Sequence, residues 1–139
     1  MKFHSLHAAL LVLCALPAIA LADDVVVIVN KANDNTVDKA LVAKIYKGES
    51  RSWPGGGAIA AFDLPEDSLV RADFSSGFVG KSETALKALW SQNVFSGKAS
   101  PPKAARSDEE VKKAVAANKN AIGYIQSRNV DDSVKVAVH

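Results

Sequence analysis

Val25-Val26-Val27-Ile28-Val29 places five β-branched residues in succession. An apolar run of this length has no polar face, and it predicts a strand buried on both sides, as in a parallel sheet. Outward from it, Asn30 to Asn35 reads NKANDN, a polar loop. Thr36 or Asp38 is placed to cap a helix that carries Val37, Leu41, Val42 and Ile45 at helical spacing, and Gly48 ends it. Trp53-Pro54-Gly55-Gly56-Gly57 is turn punctuation, and Ala58 to Phe62 reads as a second strand. Pro65-Glu66-Asp67-Ser68 opens a helix with Asp67 or Ser68 as cap; Val70, Phe74 and Phe78 recur every four residues and Gly80 closes it. Ser82 caps a further helix with Leu86, Leu89 and Trp90 on one face. Phe95 to Ala105, with Gly97, Pro101 and Pro102, is a loop. Ser107-Asp108-Glu109-Glu110 has the form of a capping box, with Val111, Ala114 and Val115 turned inward. Ala121 to Ile125 and Val134 to Val138 read as strands. Strands alternating with helices predict an α/β domain whose sheet packs between helices.

Ahead of the first strand the chain is of another kind. Met1 to His7 is short and polar with Lys2 as its positive charge, and Ala8 to Ala20 is apolar. Ala20-Leu21-Ala22 then offers small residues at a cleavage site. This three-part pattern predicts a secretory signal peptide over residues 1–22, cleaved after Ala22, and a periplasmic or secreted domain over 23–139. The apolar run is shorter than the roughly 20 residues of a membrane anchor, and Pro17 interrupts it. Cys14 follows Leu13 rather than a small residue, which argues against lipid attachment.

The 139 residues include 17 Lys+Arg and 15 Asp+Glu, are 48% hydrophobic and 23% charged, and suit one globular domain. Near-zero net charge gives no long-range attraction for nucleic acid or anionic membrane. Without the signal segment the chain keeps no cysteine, and its remaining histidine is the last residue, His139. Nucleophile–histidine catalysis and His/Cys metal ligation therefore lack their residues, Asp131-Asp132 beside His139 lacks a third ligand, and no enzyme, metal or cofactor is expected. Gly80-Lys81-Ser82 resembles the end of a phosphate loop, but Ser75 stands where the leading glycine is needed. A C-cap glycine followed by an N-cap serine explains it.

Asp67-Ser68-Leu69-Val70-Arg71 is chemically richer. First-turn N–H groups lack intrahelical acceptors and carry the positive end of the helix dipole. A hydroxyl from Ser68, those amides and the planar fork of Arg71 could cradle a tetrahedral anion. The competing reading makes Ser68 a plain cap and pairs Arg71 with Glu66 or Asp67. Trp90 reads as core, and Trp53 as a turn residue covering a sheet edge.

The order of landmarks resembles the phosphate-binding proteins of ABC-type uptake systems. Ile45-Tyr46-Lys47-Gly48 with Trp53 is similar to their "IF-x-G-x-x-x-W" stretch, and Ser68-Leu69-Val70-Arg71-Ala72-Asp73-Phe74 to "S-G-T-R-x-x-F". Phe95-Ser96-Gly97-Lys98, Pro101-Pro102 and Ala121-Ile122-Gly123-Tyr124 are similar to later landmarks. The resemblance implies one lobe of a type II periplasmic binding protein fold, a mixed or parallel sheet flanked by helices. It implies phosphate or a related oxyanion as ligand at Ser68, Leu69, Val70 and Arg71, with a transporter membrane component or a second copy as partner. Leu69 and Val70 replace the family's glycine and threonine, so one hydroxyl is lost, and Asp63-Leu64 stands where an upstream arginine is usual. An alternative alignment on "R-x-D-x-S" moves the site to Arg71 with Ser75, Ser76 and Gly77. The lobe carrying the first binding loop has no counterpart here. Two expectations follow: an oxyanion-binding protein serving phosphate uptake, or a ligand-free accessory or protein-interaction module on the same lobe.

Overall fold

A computed structural model describes residues 24–139; the expected signal segment and its cleavage site lie outside them. Five strands, β1 (Val25–Val29), β2 (Ala60–Asp63), β3 (Lys103–Ala104), β4 (Ala121–Gln126) and β5 (Lys135–Val138), form one sheet in the order β3-β2-β4-β1-β5. The helices are α1 (Lys39–Tyr46), α2 (Leu69–Phe74), α3 (Glu83–Phe95) and α4 (Asp108–Ala117).

The apolar run Val25–Val29 forms β1, and Val26 to Val29 are buried as expected. Its neighbours differ from the expectation. β2, β3 and β4 run parallel, but β1 is antiparallel to both β4 and β5. A wholly apolar run reports burial on two faces, and burial is equally complete in an antiparallel centre. The sheet is thus mixed and flanked by helices, as the fold reading required.

Helix starts follow their caps. Oxygens of Asp38, Ser68, Ser82 and Ser107 accept the backbone N–H three residues on, satisfying donors that no helical carbonyl reaches. Glu110 does not complete the box at Ser107; its carboxylate takes Arg106 instead. After Phe74 the helix widens into a π-helical turn, Ser75–Val79, which Gly80 terminates at φ 73°. The Phe95–Ala105 loop contains the two-residue β3, which adds the third parallel strand.

The core joins β1 and β4 to α1, α4 and α2. Phe74 stacks on Tyr124 with centroids 3.8 Å apart, and Tyr46 meets Phe74 edge-on at 4.7 Å. Gly123 lets α4 lie directly on β4, since a Cβ there would come within 2.4 Å of Val111 Cγ1. Lys112 on α4 is buried for a lysine. Its ammonium meets Glu109 and Asp131, both at 2.8 Å, and donates to the Asn129 carbonyl. Trp53 is buried and donates from Nε1 to the Asn120 carbonyl.

Candidate functional site

Three parallel strands end side by side at Asp63, Ala104 and Gln126, and α2 and α4 begin just beyond β2 and β3. This is the end of an α/β sheet where loops and helix N-termini gather ligands. A cavity of about 460 Å³ opens here between Leu64, Ser68 and Val70 on one side and Arg106, Ser107 and Asp108 on the other.

The expected anion residues separate on inspection. Ser68 Oγ accepts from Arg71 N at 3.2 Å, so the hydroxyl caps α2. Leu69 is 83% exposed, and Val70 is half-buried and lines the cavity. Arg71 does not present an open fork. Its Nε donates to Glu83 at 2.9 Å, and its Nη1 donates to the Leu64 carbonyl at 2.8 Å and stands 3.6 Å from Asp63. The pairing with Glu66 or Asp67 weighed from sequence is corrected by these contacts: Glu66 takes Lys87, and the partners of Arg71 come from β2 and α3. The physical reason is position. Arg71 lies on the α2 face turned toward the sheet, where carboxylates on neighbouring elements reach it before solvent does.

The alternative set is likewise dispersed. Ser75 is buried and donates to the other oxygen of Glu83, Ser76 donates to the Asp73 carbonyl on the surface, and Gly77 faces open space in the π-helical turn.

What the fold assembles instead is a polar knot. Tyr124 donates to Asp63, and its oxygen also accepts from Leu64 N at 3.1 Å. Asp63, Arg71 and Glu83 follow, then Ser75, so β2, β4, α2, α3 and the π-helical turn are tied together. Burial raises the Asp63 carboxyl above the ordinary aspartate range against the opposing pull of Tyr124 and Arg71. Burial, then the Asp63 charge, hold the Tyr124 phenol far above the usual tyrosine range, so it stays a donor. In sequence Asp63 marks only the place of the family's upstream arginine, and neither Glu83 nor Tyr124 stands out as a site residue. The available signal was the place of Asp63 at the carboxyl end of a parallel strand.

The cavity's own electrostatics are mixed. Arg106 faces it, but so do Asp67, Asp108 and Glu109. Asp108 is held by Gln126 N and Asn129 Nδ2, and Arg106 by Glu110. Among the described residues there is no group of three or more His, Cys, Asp or Glu able to hold a metal ion.

The fold has clear relatives. An ABC-type phosphate transport receptor from Vibrio cholerae is similar with TM-score 0.65 and 26% identity, over 82% of this chain and 45% of its own. A protein from Clostridium perfringens solved with bound phosphate has TM-score 0.65 and 24% identity, over 84% and 46%. PstS from Borrelia burgdorferi has TM-score 0.64 and 16% identity, over 84% and 47%. The chain thus spans under half the length of these proteins, and the two less identical ones speak for the fold alone. No curated protein matches the chain. The family described as PBP superfamily domain matches residues 16–138. That span takes in the sheet and every helix of the described residues, and the protein belongs to the PBP superfamily domain family.

Proposed function

We propose that this protein is a periplasmic, non-enzymatic lobe that binds phosphate or a related oxyanion in connection with ABC-type phosphate uptake. The observation that carries the reading is the likeness to the Vibrio cholerae phosphate transport receptor over 82% of the chain at 26% identity. The anion would meet the first turn of α2, where the amides of Leu69 and Val70 lie beyond the cap made by Ser68. Arg71 serves this turn from beneath, by anchoring α2 to Leu64 and Glu83, rather than as a direct ligand. One lobe leaves the anion largely in water, where each charged contact is weak. The site would therefore be completed by a second chain, either a transporter membrane component or another copy.

A second reading has its own observation. Arg71 is already matched by two carboxylates, and Asp67, Asp108 and Glu109 line the cavity. That arrangement favours a ligand-free accessory or interaction module built on the same lobe.

Thermal unfolding with added phosphate separates the two. Binding predicts a rise in melting temperature, corresponding to about 2.7 kcal/mol of added stability at 100 times the dissociation constant. Val70→Pro, which removes one of the two amides, should erase the rise while phosphate-free folding is monitored separately. No shift with phosphate, sulfate or arsenate would leave the second reading standing.

A further inference from the structure

At the opposite end of the parallel strands, a separate cavity of about 570 Å³ is bounded by the start of β2 at Ile59 and Ala60 and by the loop entering β3. Its charged lining is Arg51, Lys98 and Lys103, without a carboxylate. Among the described residues neither Lys98 nor Lys103 has an ion-pair partner. Arg51 donates one N–H to the Lys98 carbonyl at 2.6 Å, which pins the loop and leaves most of its five donors unused.

The floor is apolar and fixed. Trp90 lies half-buried with its Nε1 donating to the Tyr46 carbonyl at 2.9 Å, so its ring is held in one orientation. Gly48 admits that ring: a Cβ at Gly48 would stand 2.9 Å from Trp90 Cη2, and its φ of +77° already favours glycine. Ile45, Val94 and Pro102 continue the floor. A volume in the range of small-molecule sites, an apolar floor and uncompensated cations on the rim make a defined recognition chemistry.

We infer that this cavity binds a small organic anion, with an aromatic or apolar body on Trp90 and a phosphate or carboxylate held by Arg51, Lys98 and Lys103. Its cationic rim uses none of Ser68, Leu69, Val70 or Arg71 and so stands apart from the oxyanion reading, while Trp90, Val94 and Pro102 also border the space that Asp63 and Arg71 line.

The test uses tryptophan emission of the purified protein, titrated in parallel with phenyl phosphate and inorganic phosphate. Trp90 borders the cavity and Trp53 does not, so Trp90 is the reporter. The expected result is a saturable change with phenyl phosphate, at least about tenfold tighter than with inorganic phosphate. The double variant Lys98→Ala/Lys103→Ala, both exposed positions, weakens it about tenfold, equivalent to about 1.4 kcal/mol. Added salt weakens it too. Val70→Pro leaves it unchanged. Absence of a saturable change overturns the inference. So does a response that is equal for inorganic phosphate, indifferent to the lysines, or abolished by Val70→Pro.

Discussion

Asp63 is the residue at which burial and charge pull in opposite directions. Its side chain is 16% exposed, it accepts from Tyr124, and Arg71 stands 3.6 Å away, yet desolvation dominates and its carboxyl is raised. A raised folded-state value means that the folded protein takes up this proton at higher pH than the unfolded chain. The associated stability is present below the unfolded value near 3.8 and is lost as pH rises through the folded one. The exposed Asp131 beside Lys112 has the opposite sign: its carboxyl is lowered, and its contribution disappears as pH falls. Comparison with Asp63→Asn isolates the first effect. The variant should gain most over the parent at pH 7, with the gain shrinking toward pH 4 in a series of thermal melts; a gain that grows on acidification would mean that Arg71 outweighs desolvation. Arg71→Met leaves Asp63 and Glu83 facing each other without a cation. Loss of one partner of a buried pair costs about 3–5 kcal/mol, and partial exposure of this trio reduces the expected loss to about 2 kcal/mol, read from the urea midpoint. The capping role of Ser68 was readable in sequence because a cap is local. The partners of Arg71 were not, since Glu83 lies 12 positions away and meets it only once α3 has docked.

Elements here are fixed by how closely their backbones can approach. α4 rests on β4 at Gly123, where any Cβ would collide with Val111. Gly123→Ala should cost about 1–3 kcal/mol by forcing the helix off the strand. Gly77 is the contrast: it sits in the π-helical turn with open space at the Cβ position and no positive φ. Gly77→Ala should therefore raise stability by about 0.4–1 kcal/mol through the unfolded state. Paired urea titrations check both, and equal effects at the two positions would refute the packing argument. The spans of β1, α1 and α4 were readable because burial imposes a period on local sequence. β3 was not, since Lys103 and Ala104 are exposed and carry no strand pattern; it exists because β2 offers it an unpaired edge. The direction of β1 was unreadable for a related reason. An apolar run is the same read forwards or backwards, and only the pairing Val27–Tyr124 and its neighbours sets the sense.

Over the molecule as a whole, the proposed anion site has a single wall. The chain matches 45% of the Vibrio cholerae receptor's length, yet it builds a full five-stranded sheet with its own buried centre. The proposed anion site lies on one face at the end of that sheet, and a single face cannot exclude water from phosphate. If a second copy supplies the missing wall, phosphate binds the paired form and stabilises it by mass action. The phosphate-induced rise in melting temperature should then grow with protein concentration, and sedimentation should show a dimer fraction that increases with phosphate at constant ionic strength. A rise independent of protein concentration, with a monomer throughout, would place the whole site on one lobe. Val70→Pro distinguishes either case from nonspecific salt stabilisation, since an effect of ionic strength alone would survive the loss of that amide.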